Sequence, residues 1–270
     1  MISLILAVAL VGSVEATPKA LQLKDIAIAQ YQDQFQEKSF QTFLDALEEV
    51  QLSKDDEISK EEKAVYEEAL ELYLHHSRLS PQETARQIQT KYQAILESHP
   101  DYYALGYIIA AAYANLGRFT EFYQRFYLSY LHLPDHFMAY KGKAALHLKL
   151  FERAISSENK DKQRDVVINE LEKANERYSK DTGIYKLILI LTNDQDKSKR
   201  TPQLLNKIID ENIVIPRADI LFYVREAVAV NDFGLAQRFL AKAKEWHQYS
   251  RAIETAENYI VEHHGEAAVR

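Results

Sequence analysis

The chain has 270 residues, with 33 Lys and Arg against 40 Asp and Glu, and therefore a formal net charge of −7. This acidic balance is a poor match for a nucleic-acid-binding protein, which needs a concentrated basic face. The chain contains no cysteine, which excludes disulfides, thiolate zinc sites, iron–sulfur clusters and cysteine nucleophiles. With only 7 Gly and 6 Pro, the composition favours long helices over a β-rich fold. The length fits one large domain or two small ones.

The first 16 residues have the pattern of an export signal. Residues 2–11 are nearly all apolar, Gly12 and Ser13 interrupt the run, and Val14-Glu15-Ala16 places small residues where a signal peptidase cleaves. The segment resembles a secretory signal peptide that is removed after Ala16, which predicts a periplasmic or secreted protein whose mature chain starts at Thr17. No Lys or Arg precedes the apolar run, and the alternative is a cytoplasmic protein that begins with a short apolar helix. The run is too short for a stable transmembrane anchor, and no second run has membrane length, so we expect no stable membrane insertion.

From about Leu23 onward, apolar residues recur with the spacing of amphipathic helices. The first two apolar stripes consist of Ile26, Ile28, Tyr31 and Phe35, and of Phe40, Phe43, Leu44 and Leu47. The acidic stretch 55–57 predicts a turn, and a helix is expected over 60–79. The sequence Ser80-Pro81-Gln82-Glu83 then has the form of a capping box, which predicts a helix start at this point.

The clearest pattern comes next along the chain. Helices are expected over 103–116 and 120–132, joined by a tight turn in which Gly117 takes the left-handed conformation. Pro134 stops the second of these helices, and Pro100 ends the preceding helix in the same way. The two prolines are 34 residues apart, which is the period of tetratricopeptide repeats.

On these residues, the segment 102–134 resembles one tetratricopeptide unit. The matching positions are Ala110, Tyr113, Gly117, Phe119, Phe126 and Pro134, whereas Phe122 stands where the family usually has a small residue. A weaker copy over 217–250 turns at Asn231-Asp232-Phe233, where Asn and Asp replace the usual glycine. Two fainter units fall between them, so the resemblance covers about residues 82–250.

The resemblance implies an all-α fold: a right-handed superhelix of antiparallel helix pairs, whose stacked units share a core and whose concave face forms a groove. The expected organisation is a signal peptide over 1–16, N-terminal helices over 17–80, repeats over 81–250, and a capping helix with a tail over 251–270. Within the repeats, the polar stretch 156–163 is expected to be an enlarged loop between helices. Thr201-Pro202 is expected to start a helix.

The common catalytic motifs are missing from the sequence. Gly142-Lys143 lacks the upstream glycine of a phosphate-binding loop, and there is no dinucleotide glycine fingerprint, Gly-x-Ser-x-Gly elbow or His-Glu-x-x-His motif. The histidine pairs are poorly placed for a shared metal ion: His75-His76, His132 with His136, and His263-His264. We therefore expect a protein that is not an enzyme and that has no metal site and no cofactor.

The groove of such an array predicts the functional surface. Six residues are candidates to line it, because of their positions on the first helices of the pairs: Tyr107, Ala111, Asn115, Lys141, Lys149 and Arg225. Lys141 and Lys149 are eight residues apart and rise along nearly the same helix face, which favours a partner with acidic side chains or a free carboxylate. An acidic stretch over 45–71 and a basic stretch over 141–207 are either solvated helix faces or patches that steer a partner or a second copy.

The leading interpretation is an exported, non-enzymatic scaffold that holds a peptide or protein segment in its concave groove. Its partner is a protein or peptide and not a nucleic acid, and a homo-oligomer is compatible with the same surface. The alternative is a small-ligand carrier in which the superhelix encloses an apolar pocket lined by Tyr and Phe. A third class is an enzyme with an unrecognised site, for which the sequence supplies no nucleophile, metal cluster or phosphate cradle.

Overall fold

The structure is a computed structural model that describes residues 17–50, 58–74, 80–248 and 250–267. Within these residues the chain forms thirteen α-helices and one short 3₁₀ turn, without a β-strand, so the all-α fold class is confirmed. The α-helices are α1 (Pro18–Gln32), α2 (Gln36–Glu48), α3 (Lys60–Leu74), α4 (Pro81–Ser98), α5 (Tyr103–Asn115), α6 (Phe119–His132), α7 (Phe137–Arg153), α8 (Ser157–Arg177), α9 (Thr182–Leu191), α10 (Asp194–Asp210), α11 (Ile220–Ala229), α12 (Phe233–Trp246) and α13 (Arg251–Ala267). The 3₁₀ turn, Arg217–Asp219, directly precedes α11.

The chain divides into two compact units, of which unit 1 ends at Gly142 and unit 2 begins at Lys143, inside α7. This division differs from the predicted boundary between residues 80 and 81. The reason is that α3 packs against α4 and α5, so the predicted N-terminal segment shares a core with helices of the predicted repeat region. Unit 1 contains α1 to α6, and unit 2 contains α8 to α13.

Aromatic side chains form the centre of unit 1, where α1 and α2 pack on each other and on α6. The ring of Phe43 in α2 stacks on Tyr123 of α6, with 4.3 Å between the ring centroids. The Ser39 hydroxyl donates to the Ala27 carbonyl of α1 and accepts from the Tyr123 hydroxyl, both at 2.8 Å. Phe40 and Phe43 are almost fully buried, and each such side chain stabilises the fold by about 1.5–3 kcal/mol. These contacts hold the first two helices onto α6.

Two local predictions in unit 1 are confirmed. In the capping box at the start of α4, the Ser80 N–H donates to Glu83 Oε2 at 2.8 Å and the Glu83 N–H donates to Ser80 Oγ at 3.2 Å. In the turn between α5 and α6, Gly117 has a φ of 74°, which is the left-handed conformation that favours glycine. A further cap lies at the start of α1, where Thr17 Oγ1 accepts from the Ala20 N–H at 3.1 Å.

In unit 2, the helices α11, α12 and α13 pack against one another, and α10 packs against α11 and α12. The predicted turn between α11 and α12 is confirmed: Asn231 has a φ of 58°, and Asp232 Oδ1 accepts from the Leu235 N–H at 2.8 Å to cap α12. Ala236 is fully buried at the start of α12. The helix predicted after Ser250 is also confirmed, as α13.

The prediction of a loop over 156–163 is wrong. Residues 157–163 are the first turns of α8, and Ser156 is the N-cap, because its Oγ accepts from the Asn159 N–H at 3.3 Å. The side chains of residues 157–162 are exposed. A polar stretch can therefore be helical here without burying any polar group, since its side chains stay in water.

The prediction of a helix start at Thr201-Pro202 is also wrong. The helix α10 begins earlier, where Asn193 Oδ1 accepts from the Asp196 N–H at 2.9 Å, and Pro202 lies inside the helix. An interior proline removes one backbone hydrogen bond. The fully buried Leu205 and Ile208 in the following turn stabilise the helix beyond it and offset that loss.

Three predictions concern residues outside the described ranges: the signal peptide over 1–16, the acidic turn over 55–57, and the end of the helix over 75–79 with His75-His76. They stay predictions. In the part of the chain that the structure describes, no helix combines the length and the apolar composition needed to span a bilayer.

Candidate functional site

Tyr107, the first of the predicted groove residues, is buried in the core of unit 1. Its side chain is 1% exposed, and its hydroxyl donates to the Leu133 carbonyl just after α6 at 2.9 Å. The imidazole of His136 stacks on its ring, with 5.4 Å between centroids. Tyr107 therefore anchors α5 to the end of α6 and offers no surface to a partner, because neighbouring residues cover the face of α5 on which it lies.

The other five predicted residues reach the surface in different surroundings. On α5, Ala111 is partly exposed and Asn115 is exposed. The three cations have neighbours inside their own units: the Lys141 ammonium lies 4.7 Å from the centroid of the Tyr73 ring, Lys149 pairs with Glu152 at 2.8 Å, and the Arg225 guanidinium lies 5.1 Å from the centroid of the Tyr259 ring. Lys141 belongs to unit 1 and Lys149 to unit 2. The structure thus brings Ala111, Asn115 and Lys141 into one unit without assembling a single cluster from them.

A different cation stands out on α6. The guanidinium of Arg125 donates one long hydrogen bond, 3.4 Å from Nη1 to the Pro100 carbonyl oxygen. None of the described carboxylates forms an ion pair with it. Burial lowers the pKa of Arg125, and the phenols of Tyr113 and Tyr103 oppose this only in part. Because buried charges are normally paired, this guanidinium retains unused capacity to bind an anion.

The Arg125 side chain of α6 packs against α5 at Gly106. A Cβ atom at Gly106 would lie 3.1 Å from Arg125 Cδ and 2.4 Å from Ser129 Oγ, so a larger residue cannot fit without a shift. Ser129 is fully buried, and its hydroxyl has no hydrogen-bond partner among the described residues. The absence of a side chain at Gly106 lets the aliphatic part of Arg125 lie close to α5, which fixes the direction of its guanidinium.

Two partly exposed tyrosines, Tyr103 and Tyr113, lie on α5, the helix against which Arg125 packs at Gly106. The ring of Tyr103 stacks on the imidazole of His132, with 3.7 Å between centroids and 4° between planes. The Tyr113 hydroxyl donates to Gln93 Oε1 of α4 at 3.0 Å, which fixes that ring. We call Tyr103, Tyr113, Arg125 and His132 the Arg125 surface. It combines two oriented aromatic rings with a cation that packs on the same helix.

Arg118, at the start of α6, has the arrangement that Arg125 lacks. Its Nε donates to Glu121 Oε1 at 2.8 Å, and its guanidinium lies 4.8 Å from the centroid of the Tyr113 ring. The carboxylate of Glu121 neutralises Arg118 within the protein. Of these two arginines, Arg125 is therefore the one whose charge can be neutralised by a partner.

The sequence offered one signal for this surface, which the prediction did not use. Gly106 lies inside a helix, where glycine costs roughly 1 kcal/mol relative to alanine, and such a residue often has a packing reason. No sequence pattern could identify Arg125 as unpaired. That property depends on which side chains of α4 and α5 face α6 in three dimensions.

Unit 2 contains a cavity of about 140 Å³ between α8 and the start of α10. Its lining includes Arg164, Arg200, Glu172 and Asp196, and Arg200 Nη1 already lies 2.7 Å from Glu172 Oε1. Ligand pockets are usually larger, about 300–1,000 Å³, and mostly apolar. This cavity is small, polar and internally neutralised, so it does not resemble the apolar pocket expected for a small-ligand carrier.

The histidines considered as metal ligands have aromatic neighbours in the structure. His132 stacks on Tyr103, and His136 Nε2 lies 3.2 Å from the Tyr66 hydroxyl while its Nδ1 accepts from the Met138 N–H at 3.2 Å. Across the residues that the structure covers, no three His, Asp or Glu side chains are grouped in a way that could hold a metal ion.

Comparison with known proteins adds no relative: no protein-family model matches the sequence, and no curated protein matches it significantly.

Proposed function

We propose that this protein is a non-enzymatic scaffold that binds an extended segment of a protein partner at the Arg125 surface. One observation carries the proposal: Arg125 is a partly buried cation that has no counter-ion among the described residues, and it packs at Gly106 on the helix that also carries the partly exposed Tyr103 and Tyr113. Tyrosine and arginine are the residue types that most often dominate binding energy at protein interfaces. The histidine of this arrangement, His132, stacks on the Tyr103 ring, so it contributes to the oriented aromatic surface that we propose for binding.

The finer description of the fold belongs to the same proposal. Within each unit, one helix pair supports a tetratricopeptide-like organisation: α5 and α6 join at the left-handed Gly117, and α11 and α12 join at the left-handed Asn231. Small residues, Ala110 and Ala236, are fully buried in these pairs, as close helix packing requires. We propose that the pairs are antiparallel and that they stack with the right-handed superhelical sense of that family.

Export is the third element of the proposal. If a peptidase cleaves after Ala16, the mature chain begins with Thr17, which is the N-cap of α1. Thr17 Oγ1 also donates to the Glu49 carbonyl at 3.2 Å. Cleavage at this position would therefore leave the cap and its contact with the end of α2 intact, which supports a periplasmic or secreted protein.

Site-specific photo-crosslinking tests the binding proposal. A photoreactive phenylalanine analogue is introduced at Tyr113, and the folded variant is irradiated in an extract of the cells that express the protein. We expect crosslinks to discrete partners, and synthetic peptides that span the crosslinked segments should bind the wild-type protein. The control carries the same analogue at Gln124, an exposed residue next to Arg125 in sequence. Equal crosslinking from Gln124, or no peptide binding, would contradict the proposal.

A further inference from the structure

We propose that Arg125 binds the carboxylate of an Asp or Glu side chain within an extended partner segment, and that Tyr103 and Tyr113 contact apolar residues on either side of that acid. The inference rests on the proposed function, since it names the chemistry of the partner at the Arg125 surface. It is carried by a guanidinium that has no carboxylate partner among the described residues, on a side chain that packs at Gly106 of the helix carrying both oriented tyrosines.

A carboxylate is the group that best completes Arg125. The guanidinium carries five N–H donors in a planar fork. Toward the described residues it donates one hydrogen bond, at the long distance of 3.4 Å to a carbonyl oxygen. A carboxylate can accept two parallel hydrogen bonds from such a fork and neutralise its charge. A carboxylate is therefore favoured over a neutral acceptor, which would leave the charge in place.

The flanking rings indicate the shape of the partner. Tyr103 and Tyr113 are ten residues apart on α5, and because an α-helix rises 1.5 Å per residue, their backbones are about 15 Å apart along the axis. An extended chain advances about 3.3 Å per residue, so four or five residues cover this distance. An acid at the centre would place apolar side chains roughly two positions before and after it, over the two tyrosines.

This geometry favours an internal acidic side chain over a terminal carboxylate. The Arg125 side chain packs against α5 at Gly106, three residues after Tyr103 and seven residues before Tyr113, so a partner chain that is anchored there can continue toward either ring. A chain that ended at Arg125 would leave one tyrosine uncovered. A chain that continues in both directions can cover both rings, which adds apolar burial to the charged contact.

The direction of the guanidinium is fixed before a partner arrives. The Arg125 side chain passes within 3.1 Å of the Cβ position at Gly106, and Nη1 is tethered to the Pro100 carbonyl. A side chain that is already ordered loses less conformational entropy on binding. Lysine at this position would keep the charge but lose the planar fork. The variant Arg125→Lys therefore shows how much of the binding depends on the positive charge alone and how much depends on the fork geometry.

Selection from random peptides tests the inference and does not depend on the identity of the natural partner. The probes are two pools of random twelve-residue peptides, one displayed with linkers at both ends and one that ends in a free carboxylate. Both pools are selected on wild type, on Arg125→Gln, on Arg125→Lys and on Arg86→Gln. The last variant is a matched control, because it removes an exposed arginine of α4 in the same unit.

We expect the wild type to enrich internal peptides with Asp or Glu flanked by apolar or aromatic residues about two positions away. Synthetic versions with Gln in place of the acid should bind about ten-fold to a hundred-fold more weakly, as expected for the loss of a charge-assisted hydrogen bond. Arg125→Gln should lose the preference for the acid, Arg125→Lys should retain part of it, and Arg86→Gln should behave as wild type. Circular dichroism and thermal unfolding verify that each variant is folded.

Three results would overturn the inference. Enrichment without a preference for acids, or a preference that survives in Arg125→Gln, shows that peptides bind but that Arg125 is not the anchor, and the proposed function then stands alone. Stronger enrichment from the pool with a free carboxylate shows that the anchor is a chain terminus. The absence of any enriched peptide on the wild type contradicts both the inference and the proposed function.

Discussion

Glu62 of α3 caps the helix α5, which starts 41 residues later in the chain. Its Oε1 atom accepts from the backbone N–H of Ala104 at 2.6 Å and from that of Leu105 at 3.1 Å, and Glu62 is 4% exposed. The residue at the N-cap position, Tyr102, makes no side-chain capping hydrogen bond. The first turn of α5 therefore obtains its acceptor, and a charge that complements the helix dipole, from another helix.

Removal of this cap should destabilise unit 1. Glu62→Ala leaves two buried N–H groups without an acceptor, and we expect a loss of about 1–3 kcal/mol in the free energy of unfolding. Glu62→Gln keeps an acceptor oxygen and should be much less destabilising at pH 7. Urea denaturation of the two variants measures the difference, and equal losses for Ala and Gln would contradict the capping role.

The pH dependence of the unfolding free energy gives a second test of the role of Glu62. Burial raises the pKa of Glu62, although the two backbone N–H groups oppose the shift. A carboxyl with a raised pKa contributes stability that is present in full below pH 4.5 and is lost as the pH rises through the folded-state pKa. The stability of wild type relative to Glu62→Gln should therefore fall as the pH rises above about 4.5.

His136 should make unit 1 sensitive to acid in the opposite direction. Burial lowers its pKa from 6.5 to about 4, so unfolding takes up a proton between these values. Its contribution to stability is present above pH 6.5 and is lost as the pH falls to about 4, at up to about 1.4 kcal/mol per pH unit. His136→Asn should flatten the dependence of unfolding free energy on pH in this window. The control, His99→Asn at an exposed histidine, should leave the wild-type slope unchanged.

Ala110 and Ala111 are neighbours on α5 that should respond differently to the same substitution. Ala110 is fully buried, whereas Ala111 is partly exposed. Ala110→Leu should destabilise by about 1–3 kcal/mol because the packed interior cannot accept the larger side chain, and Ala111→Leu should change stability by about 0.5 kcal/mol or less. Thermal unfolding compares the two variants. A change below about 0.5 kcal/mol at Ala110 would place it outside a close helix contact.

Gly106→Ala should destabilise the protein even though alanine is the better helix former. The new Cβ would lie 2.4 Å from Ser129 Oγ, and we expect a loss of about 1–3 kcal/mol from overpacking. Adding Ser129→Ala removes the clashing oxygen and should restore much of the stability. The control is Gly234→Ala in α12, where the nearest atom to the new Cβ is 3.6 Å away. That change should be neutral or stabilising by up to about 1 kcal/mol.

Export can be tested directly at the chain terminus. The first 20 residues, fused to a reporter that is active only outside the cytoplasm, should give a signal, and N-terminal sequencing of the mature protein should start at Thr17. The reason is the apolar run followed by small residues before the cap of α1. A full-length cytoplasmic protein that starts at Met1 would contradict export.

The features of the fold that were predicted correctly are those formed by residues that are close together in the sequence. The Ser80–Glu83 capping box and the left-handed Gly117 each follow from a few adjacent residues, and both were predicted at the correct positions. Ser156 and Asn193 are also N-caps, but their helices begin in polar sequence without an apolar stripe. Periodicity cannot distinguish such a helix start from a loop, and this ambiguity explains both errors in unit 2.

The candidate site was harder to predict, because surface and core on one helix depend on its neighbours. Tyr107 was expected at the surface, yet the end of α6 and His136 cover it. Tyr113 is held by Gln93 of α4, and Arg125 of α6 packs on α5 at Gly106, so this surface depends on how both α4 and α6 pack against α5. The sequence predicts the helices but not which of their faces stay uncovered.

The cap that Glu62 supplies also ties the helix pair α5 and α6 to its place in the chain. A segment of residues 102–134 moved elsewhere would carry both helices and the turn at Gly117, but it would leave the carboxylate of Glu62 behind. At a new position its first helix would begin without that acceptor and would need another one. The pair is therefore not transferable as a self-contained module, and a graft of α5 and α6 into another protein would have to include α3.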